Sequence, residues 1–160
     1  MRVAVVIVAA MGAACDGAPA APVCGPERDV VARVIDGDTV QLASGPIVRY
    51  LLVDTPESVN GASDCFGHEA AAFDRTLVEG HEVTLAYDPS ACTDRYGRLL
   101  AYASVDGREV NALLVERGYA CVLYLPPAGE ARHQDFEALE RRARSERRGL
   151  WGACPVASCE

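Results

Sequence analysis

The chain has 160 residues, half of them apolar and 24% charged, a balance that fits one folded domain and excludes a disordered or fibrous segment. Fifteen basic residues against 23 acidic ones give a net charge of -8, which excludes nucleic-acid binding by a broad basic surface and leaves only local attraction. Every basic residue is arginine, so any phosphate site must be built from guanidinium groups.

Met1 and Arg2 lead into a short apolar run, Val3 to Gly12, which has the plan of a secretory signal peptide and is short for a bilayer span. Residues 1–23 therefore read as an export signal with a linker. The expected location is outside the cytoplasm: in the cell envelope, lipid-anchored or periplasmic, or secreted. Two processing routes stay open. Gly12-Ala13-Ala14-Cys15 resembles a lipoprotein signal that would make an acylated Cys15 a membrane tether. Ala18-Pro19-Ala20 offers a small-x-small site for release without lipid. Seven cysteines suit an oxidising compartment. With Cys15 removed, Cys24, Cys65, Cys92, Cys121, Cys154 and Cys159 allow three structural disulfides, and none of their spacings suggests a zinc knuckle.

From Val30 onward, short apolar runs alternate with the turns Asp36-Gly37 and Ser44-Gly45-Pro46, which predicts a meander of strands at about 29–35, 38–43 and 47–53. Ala70, Phe73 and Leu77 then recur at helical intervals between Phe66 and Glu79, with Gly80 placed to stop the helix. Val83, Leu85 and Tyr87 alternate as a fourth strand, and residues 99–105 form a fifth before the Asp106-Gly107 turn. Val110, Leu113 and Leu114 predict a short helix ended by Gly118. An extended segment over 119–125 meets Pro126-Pro127, and a last helix starts near Gly129 with Phe136, Leu139 and Ala143 on its apolar line. Its arginines are interleaved with Glu140 and Glu146, the pattern of a solvated face. Residues 152–160 form a cysteine-containing tail.

Charged residues gather at three turns or strand ends: Asp36-Gly37-Asp38-Thr39, Arg49 to Glu57, and Thr93 to Arg98. Each alone reads as turn chemistry. Together they supply hard oxygen ligands, a spare carboxylate and two arginines, the set that phosphodiester cleavage requires. Asp38, Asp54 and the Thr55 carbonyl suit a hard cation such as calcium. Glu57 lies near enough in sequence to deprotonate a water, and Arg49 and Arg98 suit charge building on phosphate oxygens. An unbroken strand would send Arg49 and Asp54 to opposite faces, so the strand must bulge or end between them, and Pro56 suggests an early end.

At these residues the chain resembles the thermonuclease (staphylococcal nuclease) family. The resemblance rests on Val34-Ile35-Asp36-Gly37-Asp38-Thr39-Val40, Arg49-Tyr50-Leu51-Leu52-Val53-Asp54-Thr55-Pro56-Glu57, Phe66-Gly67-His68-Glu69-Ala70, Thr93-Asp94-Arg95-Tyr96-Gly97-Arg98-Leu99-Leu100-Ala101-Tyr102 and Val110-Asn111-Ala112-Leu113-Leu114-Val115. It covers about 29–151 and implies an α+β domain, a five-stranded OB-fold β-barrel with three α-helices. It further implies Ca2+ held by Asp38, Asp54 and Thr55, Glu57 as general base, and Arg49 and Arg98 on the phosphate. Asp36 matches a secondary acid, and Arg95, Tyr96 and Tyr124 match substrate contacts. The implied reaction is cleavage of DNA or RNA, single strands favoured, to 3'-phosphate ends; the sequence gives no reason to expect an oligomer, so a monomer is expected. Ser58 to Asp64 lacks the lysines common in the family's loop, and Pro126 replaces a pocket tyrosine. The alternative is a non-catalytic OB-fold module of the envelope that binds nucleic acid or protein.

Overall fold

The computed structural model describes residues 24–58 and 64–157. The expected export signal, Cys15 and Cys159 lie outside them. Six strands form one sheet: β1 (Arg28–Asp36), β2 (Thr39–Leu42), β3 (Ile47–Tyr50), β4 (Glu82–Tyr87), β5 (Leu99–Val105) and the two-residue β6 (Arg108–Glu109). Their order is β3-β2-β1-β4-β5-β6, and a further parallel pairing of β3 with β5 closes β1 to β5 into a five-stranded mixed barrel. Three helices of two turns or more cover it, α1 (Gly67–Val78), α2 (Val110–Glu116) and α3 (His133–Ser145), followed by the single turn α4 (Leu150–Ala153). The domain is thus the α+β, OB-like barrel with three helices that the resemblance implied, with β6 and α4 added.

Closure requires curvature, and β1 supplies it. Its register against β2 shifts between Val31 and Arg33 and again between Val34 and Asp36, so the buried positions run Val31, Val34 and Asp36 instead of strictly alternating. The core inside is mainly aliphatic, with Val31, Val40, Leu42, Val48, Val83, Ala101 and Ala103 from the strands beside the buried Tyr50 and Tyr102, capped by Val110 and Leu114 of α2 and Phe136 of α3. Burying each Val, Leu or Phe side chain is worth about 1.5–3 kcal/mol.

Three elements differ from the expectations above. β3 stops at Tyr50, short of residue 53, because Leu51 and Leu52 turn away, Leu52 with φ 61°. Residues 119–125 are not a strand. They make only two isolated antiparallel bridges, Asp54 with Cys121 and Leu125 with Ala128, since β3 and β5 have already taken each other's edges. α3 starts at His133, because the stretch from Gly129 (φ 84°) is a hydrogen-bonded turn in which Arg132 N–H donates to Gly129 O.

Two disulfides join segments far apart in sequence, Cys24–Cys92 and Cys65–Cys154, and Cys121 is also disulfide-bonded. The second ties the approach to α1 to the end of α4, so the chain through Cys154 is anchored. On the outer face of α3, Arg141–Glu137, Arg142–Glu146 and Arg144–Glu140 pair at helical spacing, as mixed charge on that helix predicted. Among the described residues no helix is long and apolar enough to cross a membrane.

Candidate active site

The site begins at the Asp36-Gly37 turn between β1 and β2. Gly37 packs so closely on Thr55 that an added Cβ would meet its Cγ2 and Oγ1 at 2.9 Å, which explains a glycine there. The next residue, Asp38, is only 6% exposed. Its Oδ1 accepts from Thr39 Oγ1 at 2.8 Å, and its Oδ2 accepts from Thr55 N–H at 2.9 Å and Thr55 Oγ1 at 3.1 Å. A carboxylate with this many donors is held in one orientation. Asp36, also buried, accepts from Gly37 N–H and from Ser58 Oγ at 2.7 Å, which ties the turn to the residue after Glu57.

β3 sets Arg49 opposite Thr39. Its guanidinium pairs with Asp38 Oδ2, and its Nη2 donates to Asp54 Oδ1 at 2.8 Å. The sequence raised a geometric objection to this second contact, and the Leu51–Leu52 turn removes it by redirecting the chain before Asp54. The break comes from that turn rather than from Pro56. Asp54 is then fixed by its backbone: its N–H donates to Cys121 O at 3.0 Å, and Cys121 N–H returns to Asp54 O at 2.8 Å. Burial pulls the Arg49 guanidinium below its usual pKa, Asp54 opposes that shift, and the like charge of Arg98 adds to it.

Arg98 arrives through the parallel seam, in which Val48 pairs with Leu99 and Arg49 with Leu100. Asp94 holds it, accepting from Arg98 Nε at 2.6 Å while its other oxygen accepts the N–H groups of Tyr96 and Arg98. These bonds lower the Asp94 pKa against the opposing effect of burial, which is the largest single influence. Tyr96 is exposed, with Arg95 and Arg98 guanidinium carbons 4.8 and 5.3 Å from its ring centre. Arg95, Tyr96 and Arg98 thus form one group beside Arg49.

Glu57 is exposed, and its backbone is tightly placed. Asp64 N–H donates to Glu57 O at 3.0 Å, and Gly67 approaches so near that a Cβ there would collide with that same oxygen. Tyr124 belongs to a separate group, its ring stacked on His133 with centres 4.3 Å apart. No spacing signal in the sequence pairs His133 with Tyr124.

A second residue missed at sequence level is Asn111, fully buried at the start of α2. Its Oδ1 accepts from Ala103 N–H, and its Nδ2 donates to Leu51 O at 2.9 Å and Ala101 O at 3.2 Å. It therefore pins the turn that delivers Asp54.

Two carboxylates, Asp38 and Asp54, converge on one positive charge, here the Arg49 guanidinium. Their oxygens share a focus that suits a hard cation. Among the described residues no group of three or more His, Cys, Asp or Glu side chains is arranged to hold a metal, so an ion at this focus would draw its other ligands from carbonyl, water and substrate oxygens.

Known proteins share this arrangement of sequence. The family model described as Staphylococcal nuclease homologue matches residues 47–153. Endonuclease YncB of Bacillus subtilis (strain 168) is 36% identical over 124 residues, covering 74% of this chain and 59% of that protein. The SPbeta prophage-derived endonuclease YokF of the same organism is also 36% identical over 124 residues, 42% of its own length. The thermonuclease of Staphylococcus intermedius is 32% identical over 130 residues, 78% of this chain and 76% of that protein. The chain thus spans about half the length of the two Bacillus subtilis proteins.

Proposed function

The chain belongs to the staphylococcal nuclease family, and on that footing we propose that it is a calcium-dependent nuclease that hydrolyses phosphodiester bonds of DNA or RNA to 3'-phosphate products. The observation that carries this reading is the Arg49 guanidinium between Asp38 and Asp54, with the charge of Arg98 felt across the β3–β5 seam, two residues before Arg49's partner Leu100. Fold alone would not carry it.

Asp38, Asp54 and the Thr55 carbonyl would hold calcium, which would supply positive charge beside the scissile phosphate. Glu57 takes a proton from the attacking water. The water oxygen bonds to phosphorus as the bond to the 5' oxygen breaks, leaving a 3'-phosphate and a 5'-hydroxyl that gains a proton from solvent. Arg49 and Arg98 donate to the phosphate oxygens as negative charge accumulates there. Arg95, Tyr96 and Tyr124 contact the flanking nucleotide, and Asp36 acts indirectly through Ser58. A monomer suffices for every step. The protein works outside the cytoplasm, a reading supported by residues 1–23 and by the disulfides.

The test is cleavage of single-stranded DNA and RNA by protein lacking residues 1–23, in calcium or chelator, beside Glu57→Gln. Cutting that needs calcium and falls about 10²–10⁴-fold in the variant is expected of a general base. No cutting by folded, calcium-supplied protein would replace the enzyme with a nucleic-acid- or protein-binding module.

A further inference from the structure

A second arginine-bearing groove lies between α1, α2 and the start of α4. It encloses about 640 Å³ and is lined by Phe73, Tyr119, Arg108, Arg117 and Arg148 among others. Its aromatic wall is ordered, because Phe73 and Tyr119 stack with ring centres 4.1 Å apart and planes 6° from parallel. Its charge is uncommitted in a specific way. Arg148 is occupied by Glu116 and Glu146. Arg108 and Arg117 are exposed, and among the described residues neither forms an ion pair, a state they share with Arg33, Arg95 and Arg147, of which Arg33 donates to Gln41 and Arg95 to Tyr96.

Two unpaired guanidinium groups beside a stacked aromatic wall, on a chain of net charge -8, form a local attractor for a polyanion with flat rings. That chemistry is single-stranded nucleic acid: phosphates meet the arginines while a base lies against the aromatic rings. The wall of the groove also packs on the segment that follows Glu57. Phe66, next to the Gly67 that packs on Glu57, lies 5.4 Å from Tyr119 between ring centres.

We propose that this groove is an exosite for a distal segment of the same single strand that is cut at Arg49 and Arg98. The inference rests on the nuclease reading for its biological use, but binding can be measured without cleavage. In chelator, a fluorescent twenty-residue oligo-dT is titrated into protein lacking residues 1–23, its Glu57→Gln variant, the Arg108→Ala/Arg117→Ala double variant and the Arg108→Lys/Arg117→Lys double variant. Both arginines are exposed, so thermal unfolding of the variants should match the parent.

The expected result is about tenfold weaker oligo-dT binding in the double alanine variant, with the log-log salt slope reduced by about 1.4 for two lost phosphate contacts. The lysine variant should keep the slope and the Glu57→Gln variant should bind normally. Where cleavage occurs, the alanine variant should raise KM for the twenty-residue strand and leave cutting of a dinucleotide substrate unchanged. Unaltered oligo-dT affinity in the alanine variant would overturn the exosite, as would equal loss on long and dinucleotide substrates. A poly-glutamate peptide binding the groove in place of oligo-dT, or a monomer–dimer shift in sedimentation caused by the alanine pair, would assign it to a protein partner and also overturn it. Binding that follows the expected pattern without any cleavage would refute the nuclease reading while leaving the exosite standing.

Discussion

Arg49 donates to Asp54 at 2.8 Å while pairing with Asp38, although Asp54 lies five residues further along the chain. The three side chains are 8–15% exposed, so the guanidinium neutralises two poorly solvated carboxylates. Replacing Arg49 with Leu leaves those charges uncompensated, which is expected to cost about 3 kcal/mol in chelator. Millimolar calcium should restore much of that loss if the two acids take the ion, and urea unfolding with and without calcium measures both. Cleavage should be lost in either condition.

Asn111 makes three hydrogen bonds that no water can replace at full burial. Asn111→Ala strands the Ala103 N–H and removes the donor to Leu51 O, an expected loss of about 2–4 kcal/mol from unsatisfied buried groups. Because Leu51 opens the turn to Asp54, activity at a temperature where the variant is still folded should fall as well. Denaturant midpoints paired with activity on the folded fraction separate the two effects.

Asp74 carries the pH prediction. It lies on the buried stripe of α1 with Ala70 and Val78, is 0% exposed, and its carboxyl takes the Tyr50 hydroxyl at 3.3 Å. Burial raises its pKa well above the usual carboxylate range, against smaller opposing contributions from Tyr50 and Arg75, while Glu79 adds to the rise. The unfolded chain therefore releases this proton first as pH rises. The stability tied to Asp74 is complete below about pH 4 and is lost as pH climbs toward the folded value. Asp74→Asn should raise Tm at pH 7, and the gain should shrink toward pH 4. Thermal unfolding from pH 3.5 to 8 checks the slope.

Cys65–Cys154 closes a sequence separation of 89 residues and ties the approach to α1 to the end of α4. Replacing both cysteines with Ser should cost about 2–5 kcal/mol. The same change at Cys24–Cys92, with a separation of 68, should cost a similar amount, because loop entropy grows only slowly with length. Non-reducing unfolding of both double variants tests this.

Local chemistry was readable in the chain wherever it is set by neighbours in sequence. The Asp36-Gly37 hairpin, the α3 ion pairs and the period of α1 all follow from residues within one turn or two. The meeting of Arg49 and Asp54 was readable only as a condition, because a leucine in left-handed backbone at position 52 carries no sequence signal. Residues 119–125 look like a strand by composition, and only the closed seam between β3 and β5 denies them a ladder partner. Asp74 was invisible for a related reason: a carboxylate on a helix gives no sign that the hydroxyl of Tyr50, from the barrel, will lie over it. The partners of Cys24 and Cys65 likewise depend on how the ends of the chain wrap the barrel.

The seam between β3 and β5 acts as an interlock. Arg49 and Arg98 are brought to one seam only when β3 and β5, separated in sequence by α1 and β4, have joined. A chain still extended offers each guanidinium alone and at random distance from the other. The proposed hydrolytic activity is thus withheld for as long as this non-local pairing is not formed.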